Sequence, residues 1–140
     1  MKPRVLLAED FGVVAEQLRG LLEVEFEVVA TVEDGYALIG AARRLHPDVI
    51  VTDVTMPAMD GMAAATEILR EDPACRIVFV TVHAEAELVR KALEIGALGY
   101  VLKLCAGEDL LPAVHAAMRG TRHLSPLLAG QESRGIDPEM

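Results

Sequence analysis

Three carboxylates, one hydroxyl and one amine stand at the ends of four short apolar segments in this chain. Carboxylates crowded at one edge of a fold repel each other, so they share protons or recruit a divalent cation. Oxygen ligands on an exposed rim suit Mg²⁺, which takes one or two carboxylates and keeps several waters. The residues are Glu9 and Asp10 after the first segment, Asp53 after the third, Thr81 after the fourth and Lys103 after the fifth.

These residue types are the ones that phosphoryl transfer to a carboxylate requires. Aspartate acts as a covalent nucleophile when the charge of the migrating group is neutralised. Lys103 is a compact positive charge suited to a phosphoryl oxygen, and the Thr81 hydroxyl donates one hydrogen bond. Each residue alone also fits an ordinary role in a turn, cap, strand or surface. Together, at successive strand ends, they predict a phosphoryl-accepting site around Asp53 that uses Mg²⁺.

Five short apolar runs predict five β-strands. They begin at residues 5, 28, 49, 77 and 100, which leaves room for one helix and two loops in each gap. Runs without polar alternation are typical of strands buried on both faces, as in a parallel sheet between two layers of helices. Ligands of such sheets bind outside the carboxyl ends of the strands, and the five residues named above lie there.

The gaps between the runs show helical character. Apolar residues recur at i, i+4, i+7 and i+8 from residues 14 to 22 and again from 110 to 118, each giving one apolar stripe. The gaps at 36–45, 62–70 and 85–95 are rich in Ala, Leu, Glu and Arg, which are good helix formers. The prediction is an α/β fold, a (βα)5 doubly wound, five-stranded parallel sheet with helices on both faces.

The bulk composition narrows the class of protein. A chain of 140 residues is the size of one domain. Its net charge of −9, without any basic cluster, argues against direct DNA binding by this chain. Cys75 and Cys105 match no metal or redox spacing, which favours free thiols. The first apolar run is too short for a signal peptide and no run approaches membrane-spanning length, so we expect a cytoplasmic protein without membrane contact.

The motifs around these strand ends resemble those of response regulator receiver domains. The resemblance covers roughly residues 3 to 120 and rests on Glu9-Asp10, the segment DVTMPAMDG that begins at Asp53, Thr81 and Lys103. The segments DGYALIG, EIGALGYVLK and EDLLPAVHAAMRGTRHLSP are further similar to receivers of LuxR-type (NarL/FixJ) regulators. The resemblance implies the flavodoxin-like receiver fold with strand order 2-1-3-4-5.

The five residues Glu9, Asp10, Asp53, Thr81 and Lys103 are called the rim below. The resemblance also implies a role for each of them. A sensor histidine kinase or phosphotransfer protein would pass a phosphoryl group to Asp53, with transfer directed only at the protein itself and followed by autodephosphorylation. Lys103 and Thr81 would contact the phosphoryl group. Mg²⁺ would be held by Asp10, Asp53 and the backbone carbonyl of Thr55, with Glu9 completing the acidic pocket.

Three further residues take roles only from the resemblance. Tyr100 would act with Thr81 as the switch that reports phosphorylation on the surface; alternatively, it is a half-buried packing residue with a solvated hydroxyl. Thr55 and His83 would tune how fast the acyl phosphate hydrolyses; alternatively, His83 is a loop residue without a role. Two positions depart from the usual receiver pattern. Leu104 follows Lys103 where many receivers have a cis proline. Phe11 and Gly12 follow the acidic pair where polar residues are more usual, and an exposed Phe11 would suit contact with a partner.

The resemblance predicts a receiver domain over residues 1–122. Residues 123–140 are expected to form a C-terminal tail or linker, partly disordered, with no DNA-binding domain, although LuxR-type regulators continue into one. A natural single-domain protein and a truncated chain both fit the sequence. The signal would pass to a partner, a phosphorylation-dependent homodimer or a missing output domain that regulates transcription.

Two other functions use similar residues. A phosphatase of the haloacid-dehalogenase type also forms an aspartyl phosphate, but its Asp-x-Asp motif is absent because Thr55 stands two residues after Asp53. A degenerate receiver that binds partners without phosphorylation would lack one or more residues of the rim, and all of them are present here.

Overall fold

Strands and helices alternate along the whole of the chain that the computed structural model describes, residues 1–128. The five predicted strands and five predicted helices are all present. Two short 3₁₀ turns lie at Lys103–Cys105 and Pro126–Leu128. The elements are β1 (Arg4–Ala8), α1 (Gly12–Leu22), β2 (Glu27–Val32), α2 (Gly35–Leu45), β3 (Val49–Thr52), α3 (Gly61–Glu71), β4 (Ile77–Thr81), α4 (Ala86–Ile95), β5 (Gly99–Leu102), α5 (Ala106–Met118) and β6 (His123–Leu124).

All neighbouring strands pair in parallel, in the order β2-β1-β3-β4-β5-β6. The predicted order of the first five strands is therefore confirmed. The predicted count of five is one too low, because β6 pairs with β5 at the edge of the sheet. A two-residue strand is too short to produce a periodic apolar pattern, so it left no signal in the sequence.

Each central strand is buried on both faces, as its continuous apolar run predicted. Successive side chains of a strand point to opposite faces of the sheet, and the core divides accordingly. Leu6, Ile50 and Phe79 pack with residues of α2, α3 and α4. On the other face, strand residues such as Leu7 and Val78 pack with α1 and α5. The sheet thus holds its strand ends rigidly between two layers of helices.

The helix boundaries follow from local chemistry. Asp34 and Asp60 cap α2 and α3, since their carboxylates accept hydrogen bonds from the amides of Ala37 and Ala63. Gly96 ends α4 with φ at 107°, a left-handed conformation that glycine adopts without strain. Two aspartate caps and one left-handed glycine therefore set these three helix ends.

The segment after α5 continues the fold for six residues beyond the predicted domain end. His123 N donates to Leu98 O at 2.9 Å and Ser125 N donates to Tyr100 O at 3.1 Å. Leu128 is completely buried. The tail predicted to begin at residue 123 therefore starts with a segment, 123–128, that packs on the domain. Residues 129–140 lie outside the described residues, so the disorder expected there stays a prediction.

The two cysteines are both free thiols, as their spacing predicted. Burial is the main cause that raises the pKa of the Cys75 thiol to about 11, so this group stays protonated and unreactive at neutral pH. Within residues 1–128, no helix has the length and apolar character needed to cross a membrane.

Candidate functional site

The ends of β1, β3 and β5 bring two carboxylates and one ammonium into contact. Lys103 Nζ lies 2.7 Å from Asp53 Oδ2 and 2.8 Å from Glu9 Oε1. Asp53 is only 6% exposed and Glu9 only 1%. Ion pairs sheltered in this way are screened less than those on an open surface. Lys103 thus ties the end of β5 to the ends of β1 and β3.

A third carboxylate completes an acidic cluster on the same rim. Glu9, Asp10 and Asp53 each offer an oxygen, and these oxygens all lie within 4.8 Å of one another. Asp10 is exposed whereas the other two are buried. The set consists only of oxygen donors and has one side open to solvent, which fits Mg²⁺. The predicted grouping of these residues is therefore present in the structure.

Burial and charge act against each other at Glu9 and Lys103. Burial raises the pKa of Glu9, although the hydrogen bond from Lys103 works in the opposite direction. For Lys103, burial would lower the pKa, but the hydrogen bonds to Asp53 and Glu9 outweigh it and the net shift is upward. Lys103 is therefore charged at neutral pH. A further cation near the buried Glu9 carboxyl would stabilise its ionised form, which burial disfavours.

Hydrogen bonds from neighbouring residues hold both the carboxylate and the backbone carbonyl of Asp53, at the start of the loop between β3 and α3. The amide of Thr55 donates to Asp53 Oδ1 at 3.3 Å, and Thr52 Oγ1 donates to Asp53 O at 2.9 Å. Gly61 begins α3 directly against this loop. A Cβ atom at Gly61 would lie 1.8 Å from Asp53 O, far inside any real contact. Glycine is thus required where the segment DVTMPAMDG ends.

The middle of the same loop contains a strained turn. Ala58 has φ at 66°, and Met59 N donates to Pro57 O at 2.7 Å, which makes a γ-turn centred on alanine. Met59 O in turn accepts from Gly35 N at 2.7 Å. The start of α2 therefore holds the Asp53 loop in place from the neighbouring side.

His83 connects the other residues predicted to matter around Asp53. Its backbone amide donates to Thr81 Oγ1 at 3.2 Å. Its ring Nε2 lies 3.0 Å from Thr55 Oγ1, and its carbonyl accepts from the Tyr100 hydroxyl at 2.8 Å. One residue of the loop between β4 and α4 thus contacts the end of β4, the Asp53 loop and β5.

Tyr100 is more deeply placed than a packing residue with a solvated hydroxyl would be. The residue is completely buried and its ring centroid lies 6.3 Å from that of Phe79. Burial, together with the charges of Glu85 and Asp53, raises the pKa of the Tyr100 phenol. The hydroxyl is therefore a protonated donor committed to His83 O.

Two departures from the usual receiver pattern have clear structural outcomes. No peptide bond is cis within residues 1–128, so the chain passes from Lys103 to Leu104 in the trans form and enters a 3₁₀ turn. Leu104 is 80% exposed and Phe11 is 65% exposed. Both exposed apolar side chains lie close in sequence to residues of the site.

The class of this protein follows from its similarity to a known family. Residues 5–115 match the model of the response regulator receiver domain. The chain belongs to this family. The matched range contains every residue of the Asp53 rim described above, from Glu9 to Lys103.

Relatives of this receiver domain include proteins named as transcriptional regulators. It is 37% identical over 121 residues to an uncharacterised transcriptional regulatory protein, YxjL of Bacillus subtilis, covering 85% of this chain and 56% of that protein. The receiver domain thus spans little more than half the length of this curated relative.

Solved structures agree with the fold. A LuxR-family two-component response regulator from Aurantimonas sp. SI85-9A1 superimposes with a TM-score of 0.90 at 33% identity, covering 96% of this chain and 97% of that chain. The isolated REC domain of RcsB from Salmonella enterica serovar Typhimurium, solved with the phosphomimetic BeF3−, gives a TM-score of 0.83 at 28% identity, covering 96% and 99%. The flavodoxin-like receiver fold and the LuxR-type resemblance predicted from the sequence are both confirmed.

Sequence reasoning missed one residue that contacts the strand leading to Lys103. Ser125 Oγ accepts a hydrogen bond from Leu102 N at 3.0 Å, directly before Lys103. Ser125 belongs to the segment RHLSP that carried part of the resemblance, yet no periodic pattern marks it as part of a strand. Its tertiary contacts place it against β5, one residue before Lys103.

Proposed function

We propose that this receiver domain is a phosphorylation-activated switch of a two-component system, in which Asp53 accepts a phosphoryl group. The donor would be a sensor histidine kinase or a phosphotransfer protein. The observation that carries the proposal is the 2.7 Å contact between Lys103 Nζ and Asp53 Oδ2, because it puts a fixed positive charge where negative charge accumulates during transfer.

The reaction exchanges one bond to phosphorus for another. A carboxylate oxygen of Asp53 attacks the phosphorus atom of the donor, and the phosphorus–nitrogen bond to the donor's imidazole breaks. The imidazole leaves with its electron pair and takes up a proton from solvent. Lys103 neutralises part of the charge on the phosphoryl oxygens, and the Thr81 hydroxyl donates to one of them once it turns from its present partner.

The acidic cluster would hold Mg²⁺ through Glu9, Asp10, Asp53 and the backbone carbonyl of Thr55. Bound there, the ion supplies electrostatic stabilisation of the phosphoryl charge. The buried Glu9, whose pKa is raised by burial, supports this assignment because a nearby cation offsets the cost of its ionised form.

The switch would run from Thr81 to Tyr100. Thr81 accepts from His83 N, and Tyr100 donates to His83 O, so a movement of the Thr81 hydroxyl toward the phosphoryl group disturbs the loop that fixes Tyr100. Phosphorylation shifts a population only by its differential affinity for two states. The active state would therefore gain contacts elsewhere, as a homodimer, with a partner or with an output domain that regulates transcription.

Phosphoryl transfer would be confined to the protein itself. Thr55 and His83 would set the lifetime of the aspartyl phosphate, and their 3.0 Å contact beside Asp53 supports that role. Since the chain carries a net charge of −9, this receiver domain would not bind DNA directly. It would act in the cytoplasm.

The proposal is tested by labelling with a small phosphodonor. Acetyl phosphate and Mg²⁺ are expected to add one phosphoryl group to the protein by intact mass. Asp53→Asn is expected to abolish the addition, whereas Asp72→Asn, which changes an exposed carboxylate at the end of α3, leaves it unchanged. Equal labelling of Asp53→Asn and the wild-type protein would refute the proposal.

A further inference from the structure

We infer that Ser125 is a positioning residue for the phosphoryl-accepting site, acting on Lys103 through the end of β5. The inference rests on the function proposed above for Asp53 and Lys103. Ser125 is completely buried. Its backbone amide donates to Tyr100 O at 3.1 Å, and its hydroxyl oxygen accepts from Leu102 N at 3.0 Å. Ser125 is therefore hydrogen-bonded to both residues of β5 that flank Val101.

The side chain of Ser125 replaces a backbone carbonyl in the ladder. In a regular parallel pair, a residue that donates to one strand residue accepts with its own carbonyl from the amide two positions on. Here the carbonyl of Ser125 accepts instead from Leu128 N at 2.8 Å, where the chain turns into the 3₁₀ segment. The Leu102 amide would then lose its partner in this buried strand, and the serine hydroxyl supplies it.

Both ends of the segment are anchored, which fixes the position of the hydroxyl. On one side, β6 pairs with Gly99 and Tyr100. On the other side, the side chain of Leu128 is completely buried in the same core cluster as Tyr100 and Leu102. A short side chain held between two anchored points has little freedom. Ser125 therefore restrains the end of β5 and does not simply move with that strand.

The residue that directly follows β5 is Lys103, whose ammonium contacts Asp53 and Glu9. A lysine side chain is flexible and has many rotamers. Its placement therefore depends on where its backbone begins, and Ser125 holds that backbone one residue earlier. The oxygen donors of the acidic cluster, in contrast, belong to residues that directly follow β1 and β3. The hydrogen bonds of Ser125 run to β5 and to Leu128 instead.

Because Ser125 contacts β5 and not the strand ends that carry the acidic cluster, we expect Ser125→Ala to affect the affinities for beryllofluoride and for Mg²⁺ differently. Ser125→Ala is expected to weaken binding of beryllofluoride, a phosphoryl analogue, by at least about threefold, because the Lys103 ammonium is held less firmly against the ligand. Mg²⁺ binding without beryllofluoride is expected to stay within about twofold of the wild-type value or to tighten, because Lys103 competes with the ion for the same carboxylates. A purely structural role would move neither affinity among folded molecules.

The experiment follows backbone amide signals by NMR during titration with Mg²⁺ alone, and then with beryllofluoride at saturating Mg²⁺. Ser125→Thr retains the hydroxyl and is expected to restore beryllofluoride affinity toward wild type. Leu22→Ala removes a completely buried side chain from the core on the α1 and α5 face of the sheet, so it is expected to cost stability without loss of beryllofluoride affinity. Equal beryllofluoride affinity of Ser125→Ala and wild type overturns the inference, as does a loss of the same size in Leu22→Ala.

A measurement on the wild-type protein keeps the inference testable if the variants do not fold. Coupling between two sites is reciprocal, so beryllofluoride with Mg²⁺ is expected to slow hydrogen exchange at the Leu102 amide. Unchanged exchange there, while amides near Asp53 respond, overturns the inference about Ser125 alone. A wild-type protein that shows no response to beryllofluoride at any amide would instead overturn the proposed function itself.

Discussion

The side chains of Thr55 and His83 are joined by a hydrogen bond, with 3.0 Å between Thr55 Oγ1 and His83 Nε2. The two residues lie on different loops, one after β3 and one after β4. His83 also accepts from Tyr100 and donates to Thr81 through its backbone. The residues proposed to set phosphate lifetime and those proposed to form the switch are therefore one connected network.

This network predicts that Thr55 and His83 act as a unit on the aspartyl phosphate. We expect Thr55→Val and His83→Ala each to shorten its lifetime by about two- to tenfold, because either change removes the hydrogen bond between the two side chains beside Asp53 and gives water easier access to the acyl phosphate. The double variant should resemble either single variant. The measurement is the decay of the phosphorylated mass after removal of acetyl phosphate. Thr55→Ser retains the hydroxyl and serves as the control. Fully additive effects would contradict the coupling.

A second prediction concerns competition between Lys103 and Mg²⁺. The Lys103 ammonium contacts Asp53 and Glu9, which are also proposed metal ligands. We expect Lys103→Met to bind Mg²⁺ more tightly than wild type while its labelling by acetyl phosphate falls by at least about tenfold. Calorimetric titration with Mg²⁺ measures the first effect. Lys91→Met, on the exposed side of α4, provides the control, and weaker Mg²⁺ binding by Lys103→Met would contradict the competition.

A third prediction follows from the raised pKa of Glu9, for which burial is the main cause. A carboxyl whose pKa is raised on folding contributes stability below its unfolded value of 4.5, and that contribution is lost as the pH rises through the folded value. Replacing Glu9 with a neutral amide removes the loss. We therefore expect the free energy of unfolding of Glu9→Gln, relative to wild type, to increase from acidic to neutral pH in buffer without Mg²⁺.

Denaturant unfolding at several pH values measures this difference. The mutation Glu94→Gln, which removes one carboxylate at an exposed position of α4, is the matched control. A Glu9→Gln protein whose relative stability falls on going to neutral pH would show that Lys103 stabilises the ionised carboxylate more than burial penalises it.

The fourth prediction uses two glycines with opposite surroundings. A methyl group at Gly61 would collide with Asp53 O, whereas one at Gly40 in α2 meets nothing within 4 Å. We expect Gly61→Ala to cost about 3 kcal/mol or more and to abolish labelling of Asp53. Gly40→Ala should stabilise the protein by about 0.5–1 kcal/mol, since alanine favours helix. Similar unfolding midpoints for the two variants would contradict the contact at Gly61.

Much of this architecture was predictable because burial on both faces leaves a direct mark on sequence. The apolar runs that form β1, β3, β4 and β5 are continuous, and the polar residue that closes each run falls at the carboxyl edge of a parallel sheet. The grouping of Asp53 with Glu9 and Lys103 follows from that edge alone.

Other features depend on tertiary contacts that leave no local mark. Alanine has no preference for a positive φ, so the residue type does not mark the turn at Ala58, which lies beside the hydrogen bond between Gly35 and Met59. The strand β6 is too short to show a period and is held in place by its pairing with β5 and by the contacts of Ser125. The complete burial of Tyr100 likewise depends on the loop that carries His83.

The most direct test of the proposed function is chemical identification of the residue that receives the phosphoryl group. Borohydride reduces an acyl phosphate to the alcohol, which would convert a phosphorylated aspartate into homoserine. After treatment with acetyl phosphate and Mg²⁺, peptide mapping is expected to find homoserine at position 53 and unmodified aspartate at position 10. Homoserine at position 10, or its absence from position 53 in protein that carries the label, would contradict the central claim.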